Sequence, residues 1–141
     1  MSNPIGMALI CDDIRHELNE QHTLVGVITD RISVKSIPTT IVKLGIYIRI
    51  HFEFDFDPCD VSVVAIDSDG PEINLVTFYS DEISQIIQKA RDEGDIMAGV
   101  YTSLIASPFS VTDFGRLIIE MRWRDQRLRI GGVKFVQDLA G

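Results

Sequence analysis

Four arginines near the C-terminus, Arg122, Arg124, Arg127 and Arg129, alternate with Met121, Trp123, Leu128 and Ile130 around Asp125-Gln126. If Asp125-Gln126 is a two-residue hairpin loop, Trp123 lies opposite Leu128 and Met121 opposite Ile130, while Arg124 faces Arg127 and Arg122 faces Arg129. Apolar pairs then share one face of the ribbon and arginine pairs the other. Asp-Gln is not a favoured pair for a primed turn, so a longer loop is the other option. Like charges directly opposite across strands destabilise a hairpin unless something neutralises them. The counter-charge can be internal, from Glu120, Asp125 or the acidic faces of neighbouring strands such as Glu53 and Asp55, and such surface pairs contribute little. It can also be external: an acidic protein, a phosphate-bearing small molecule or a second copy of this chain. Charge runs are more often solvated faces than sites. Even so, Arg122, Arg124, Arg127 and Arg129 are the candidate binding residues.

The remaining candidates are weaker. His16-Glu17-Leu18-Asn19-Glu20-Gln21-His22 invites comparison with the zinc-protease H-E-x-x-H helix, but histidines six residues apart stand about 240° apart on a helix and cannot share a ligand. A polar connection between two strands is expected there. Asp12 and Asp13 are either a carboxylate pair for metal binding or acid–base work, or, more commonly, caps on a short helical turn that faces Ile14 and Leu18 to the core. Asp55, Asp57, Asp60, Asp67 and Asp69 resemble the calcium-holding loops of C2-type sandwich domains. A strand over Val61 to Ile66, in a hairpin with the preceding one, separates the two groups by about 20 Å, so solvated turn acids are expected instead. No G-x-S-x-G elbow, P-loop, dinucleotide-binding glycine pattern or C-x-x-C pair occurs. His51 falls on the polar face of a strand, as an ordinary exposed histidine. No catalytic, cofactor-binding or metal-binding residue is therefore assigned, and a non-enzymatic protein is expected. An enzyme would need a cleft that gathers Asp12, Asp13, Arg15, His16 or His51.

The elements that would position these residues are mostly strands. From Val42 to Asp57, apolar Val42, Leu44, Ile46, Ile48, Ile50, Phe52, Phe54 and Phe56 alternate with polar residues, Gly45 and Tyr47. Period two over that length predicts one long strand with one face on a core and the other largely in water, as in an antiparallel sheet. Asp57-Pro58-Cys59-Asp60 turns the chain into a second strand over Val61 to Ile66, and Asp67 to Pro71 turns it into a third over Glu72 to Phe78, as in a meander. Between Ser80 and Glu93 the period changes. Ile83, Ile86, Ile87 and Ala90 fall at i, i+3, i+4 and i+7, acids Asp81 and Glu82 open the segment, Lys89 and Arg91 close it and Gly94 follows, so one amphipathic helix is expected. Strands are also expected over Met7 to Cys11, Thr23 to Thr29, Met97 to Ile105, Gly115 to Arg124 and the residues after the C-terminal loop. About eight strands and one helix predict a mainly β fold, an antiparallel two-sheet sandwich.

The 141 residues suit one domain, 1–141, able to bury a core without staples. A net charge of −8 and a pI near 4.7 argue against general affinity for nucleic acid or anionic lipid. The average hides an asymmetry, because residues 115–141 carry six Arg and Lys against three Asp and Glu, while the preceding 114 residues carry seven against eighteen. The apolar run Ile5 to Ile10 follows no basic residues and is too short for a signal peptide or a membrane span. Cys11 and Cys59 form no disulfide framework. Two buried, reduced thiols and a cytoplasmic location are expected.

Ala8-Leu9-Ile10-Cys11-Asp12-Asp13-Ile14-Arg15-His16-Glu17, followed by Leu24-Val25-Gly26-Val27, resembles the opening of a family of short bacterial and phage-associated proteins of uncharacterised function. The resemblance continues through Lys43 to Phe54, Ile66 to Gly70, and Gly115 to Val136; the helical segment at Ser80 to Glu93 is longer than the family's usual middle segment. It implies a sandwich-like β domain with no assigned activity and adds no catalytic residue. The expected function is a non-enzymatic protein-binding or self-assembly module, with a homo-oligomer in view. The alternative is a small-molecule or anion-binding domain that uses the arginine ribbon.

Overall fold

The computed structural model describes residues 2–68 and 70–139. In chain order the strands are β1 (Ile5–His16), β2 (His22–Ile28), β3 (Arg31–Val34), β4 (Thr39–Ile41), β5 (Leu44–Phe52), β6 (Val61–Asp67) and β7 (Ile73–Phe78). Helix α1 (Ser80–Asp92) follows, and then β8 (Ala98–Ala106), β9 (Phe109–Val111), β10 (Arg116–Trp123) and β11 (Gln126–Gln137). They form a four-stranded antiparallel sheet of order β2-β1-β5-β8, a five-stranded mixed sheet of order β3-β11-β10-β6-β7, and a two-stranded sheet of β4 and β9. The fold is mainly β with one α-helix, as expected, but the eleven described strands and three sheets exceed the expected eight and two. The unanticipated β3, β4 and β9 have only three or four residues each, too few for a period-two pattern to stand out.

The centre of the four-stranded sheet follows from the alternation. Leu44, Ile46, Ile48, Ile50 and Phe52 of β5 are buried on one face, while Tyr47, Arg49 and His51 are half-buried or exposed on the other. The strand is shorter than the pattern. Val42 is 81% exposed, and beyond Phe52 the chain turns, with the Phe56 N–H donated to the Glu53 carbonyl at 3.0 Å. That turn still returns Phe56 to the core, 5.0 Å from the Phe52 ring, so the hydropathy alternation outlives the strand geometry. Residues 53–60 also carry the chain from one sheet to the other. β5 lies between β1 and β8, β6 lies between β10 and β7, and the expected hairpin of these two strands does not form.

α1 forms where the period changes. Tyr79 stands at its N-cap, the Glu82 carboxylate accepts the Tyr79 N–H at 3.4 Å, and the Asp60 carboxylate accepts the Ser80 N–H at 2.9 Å. Gly94 follows its end with a φ of +77°. The face with Ile83, Ile87 and Ala90 is buried in the core shared by both large sheets. The helix thereby covers the end of the sheets at which Phe52 pairs with Ala98 and Val61 with Phe78. Among the described residues no helix is long and apolar enough to cross a membrane.

The two large sheets come closest where β1 meets β11. A Cβ built on Gly131 would stand 2.5 Å from the Ala8 carbonyl oxygen, a backbone atom that cannot swing away. Gly131→Ala should therefore lower stability by about 1–3 kcal/mol through overpacking. Urea denaturation checks this as a lower midpoint at unchanged slope; an unchanged midpoint would mean that the sheets tolerate a methyl group there.

Candidate functional site

The β10–β11 hairpin decides the fate of the arginines. Its loop is Arg124-Asp125, with Arg124 at a φ of +51°, so Trp123 pairs with Gln126, Met121 with Leu128, Arg122 with Arg127 and Glu120 with Arg129. This corrects the expected register by two residues. A shift of two preserves the division of faces, because side chains alternate with that period. Direct opposition of two arginines is thus confined to Arg122 and Arg127.

Arg122 is saturated from within the chain. Its guanidinium donates to both oxygens of Glu72 at 2.8 and 2.7 Å and to Glu120 at 2.7 Å, and its side chain is only 23% exposed. Those bonds raise the Arg122 pKa and hold the Glu72 carboxyl below its ordinary value of 4.5. Arg124 donates to the Asp57 carbonyl at 2.6 Å, lies 3.2 Å from the Asp57 carboxylate and sits over the Phe56 ring. Arg127 reaches Glu120 at 3.9 Å. Glu120 is thus a counter-charge as expected, whereas Glu72 and Asp57 stand where Asp125, Glu53 or Asp55 were expected. An open depression of about 520 Å³ surrounds Arg122 and Arg124, but its floor is a set of completed ion pairs.

The fourth arginine belongs to a different group. Arg116 of β10 pairs laterally with Lys134 of β11, and Lys134 pairs with Arg31 of β3, which places three cations side by side across three strands. Together with Arg129 they line a cavity of about 150 Å³, which Asp30 also borders. Asp30 is bound to Arg31 at 3.1 Å, and among the described residues the side chains of Arg116, Arg129 and Lys134 have no acidic partner. Gly132 makes room for the arrangement, since a Cβ there would lie 2.6 Å from the Leu117 carbonyl oxygen and 3.4 Å from the Arg129 guanidinium. The local basic bias is legible in the sequence, but this row is not. Arg31 joins through the parallel pairing of β3 with β11, between segments about a hundred residues apart, and no local pattern encodes that pairing.

The other candidates scatter or pair off. His16 and His22 are brought together as cross-strand partners with ring centroids 4.7 Å apart, because the segment between them closes a hairpin and does not form a continuous helix. Asp12 and Asp13 lie within β1 and cap no helical turn; Ile14 is buried as expected, but Leu18 is 87% exposed. Asp13 accepts from Lys43 at 3.2 Å and from the Ile14 N–H at 2.9 Å, bonds that hold its carboxyl below the ordinary value. His16 lies 3.3 Å from the Ser103 hydroxyl, and His51, which is half-buried, accepts from Arg49 at 2.8 Å. Asp12, in turn, crowds Gly26 of β2. Among the described residues, none of the cavities is lined by more than one of Asp12, Asp13, Arg15, His16 and His51. Of the turn acids, Asp57 and Asp60 stand at one end of β6 and Asp67 at the other, Asp55 accepts from Ser2, and Asp69 lies outside the described residues. Among the described residues no cluster of three or more His, Cys, Asp or Glu could hold a metal ion. Cys11 is buried, Cys59 only half-buried, both are free, and burial pushes both thiols up.

The Glu72–Arg122 pair gives a pH test. Because the folded-state pKa of Glu72 is depressed, its contribution is fully present above the unfolded value near 4.5 and is lost as pH falls through the lower folded value. Glu72→Gln should lower the melting temperature at pH 7, and the difference from wild type should vanish in more acidic buffer. Thermal melts from pH 7 to about 2.5 check this, and a difference independent of pH would mean that the pair carries no linked stability.

The sequence profile of DUF6941, a family of unknown function, matches residues 6–121. No curated protein and no solved structure matches the chain. The matched span runs from β1 into β10, so it includes Arg31 and Arg116 but ends before Arg122, Arg129 and Lys134. The chain belongs to the DUF6941 family.

Proposed function

We propose that this chain is a non-enzymatic protein-binding module that docks an acidic partner surface on the row of Arg31, Lys134 and Arg116, with Arg129 beside it. One observation carries the proposal: three cations in lateral register, for which the described residues supply a single carboxylate, on Arg31. Adjacent like charges in a sheet cost stability, and a partner's carboxylates would remove that cost on binding. A second copy of this chain has the required chemistry, since the basic bias is confined to its C-terminal part and the net charge is −8. In a two-fold contact each basic row would meet the acidic surface of the other copy. We read the two large sheets as the layers of a sandwich that holds this row rigid. The two free thiols suit a reducing cytoplasm, and the bacterial and phage-associated setting implied by the resemblance belongs to the same proposal.

A small-anion ligand is the second reading, favoured by the cavity of about 150 Å³ beside the row. That volume takes a charged head group but is below the roughly 300 Å³ at which whole-ligand pockets begin.

Light scattering separates the outcomes. A concentration-dependent dimer at low salt should dissociate at high salt, as screening removes the attraction, and Arg116→Glu with Lys134→Glu should abolish it. A monomer at high concentration and low salt removes self-association. If inorganic phosphate or a nucleotide then raises the melting temperature of the wild type but not of the double variant, the anion reading takes its place.

A further inference from the structure

β8 ends the order β2-β1-β5-β8, and all nine of its residues pair with β5 in unbroken register from Ala98 to Ala106. Among the described residues its other side makes no backbone hydrogen bond. An open edge of that kind is a template for another strand, and sheets ordinarily protect it with charge, proline, a bulge or brevity. β8 has none of these. No charged residue occurs between Asp95 and Asp113, the longest such gap in the chain, and the one proline of that stretch, Pro108, lies beyond the strand. The other edges are guarded: β3 has only four residues, β2 is broken by Gly26 at a φ of +66°, and β7 meets β6 through a register shift.

Burial is also incomplete along this strand. Val100, Thr102 and Leu104 stand opposite Ile50, Ile48 and Ile46 of β5 and so face the same core. Those β5 residues are at most 7% exposed, whereas Val100 and Leu104 are only half-buried. On the outer face Tyr101 and Ile105 are 48% and 46% exposed. A neighbouring strand would satisfy the free backbone groups and cover these side chains together.

The sequence of β8 fits a copy of itself. Antiparallel pairing centred on Thr102 is the one register that engages all nine residues, and it keeps inward residues opposite inward ones. Val100 then faces Leu104 of the partner subunit, Tyr101 faces Ser103 of the partner subunit, and no charge meets a charge. In a chain of net charge −8, an uncharged edge is where two copies approach with least repulsion.

We propose that β8 pairs antiparallel with the β8 of a second copy about a two-fold axis at Thr102, so that two four-stranded sheets become one continuous sheet. The contact lies on the sheet that does not carry the basic row and does not depend on any role of that row.

Light scattering and cross-linking of the full chain test this. The wild type should show twice the monomer mass at low and at high salt, because backbone hydrogen bonds and apolar contacts are not screened. Tyr101→Glu with Ser103→Glu sets like charges opposite each other across the dyad only, and should give a folded monomer with an unchanged far-UV circular dichroism spectrum. In a Cys59→Ser background, Thr102→Cys should form a disulfide-linked dimer on mild oxidation, since directly opposed strand residues have a suitable spacing, whereas Ser103→Cys should not. A dimer that dissociates at high salt and is lost in Arg116→Glu with Lys134→Glu belongs to the basic row, and overturns the edge pairing. So does a dimer that survives Tyr101→Glu with Ser103→Glu. A monomer at high concentration and high salt also overturns it, and leaves the edge to an extended peptide of another protein.

Discussion

One constraint organises this molecule: the apolar face of β5 has to be covered without covering the other face in the same way. Leu44, Ile46, Ile48, Ile50 and Phe52 are all buried, and burial on that scale is the main favourable term in folding. β1 and β8 hold β5 by hydrogen bonds from its two sides, while residues of β6, β10 and β11 meet its apolar face from the second sheet, and α1 covers the end at Phe52. Close approach of β1 to β11 needs Gly131, and the lack of a side chain at Gly45 leaves room for Cys11 and Ile14 of β1 against β5. The packing leaves the opposite end of the layers less well filled, between Leu44 and Leu117.

Electrostatics on the outer surface of the five-stranded sheet follows from the same layout. Strand order places Glu72 within reach of Arg122, and the chain's crossing between sheets delivers Asp57 to Arg124. These arginines are locked by their neighbours, and each side chain also packs: Arg122 is mostly covered and Arg124 lies on an aromatic ring. On the far side of β10, β11 and β3 bring only cations to the row, apart from Asp30 next to Arg31. One surface therefore carries completed pairs in one place and uncompensated charge in another. The difference lies in which strands are neighbours: β7 and the crossing between sheets bring acids to Arg122 and Arg124, whereas β3 brings Arg31 to Lys134.

The histidines make the same point about proximity. His16 and His22 could not meet on a helix, and they meet here because the segment between them is the closed end of a β-hairpin. Their contacts with Ser103, Tyr47 and Tyr101 come from the hairpin lying over the outer face of β5 and β8. His16 thus comes within reach of the Ser103 hydroxyl, and among the described residues no third group is hydrogen-bonded to the His16 ring.

Local patterns sufficed for what depends on neighbours in the chain. The alternation from Leu44 to Phe52, the spacing of Ile83, Ile87 and Ala90, and the acids and bases at the ends of α1 predicted those elements and their buried faces, because side-chain direction follows backbone period. The division of the C-terminal ribbon into apolar and arginine faces was also legible, as it survives a register error of two residues. Only the tertiary structure decided the rest: that β5 and β6 part into different sheets, that Arg122 and Arg124 find Glu72 and Asp57, and that Arg31 joins Arg116 and Lys134. Each of these sets strands distant in sequence beside one another, and a charge's partner is chosen by distance in space, to which residue order along the chain is only a weak guide.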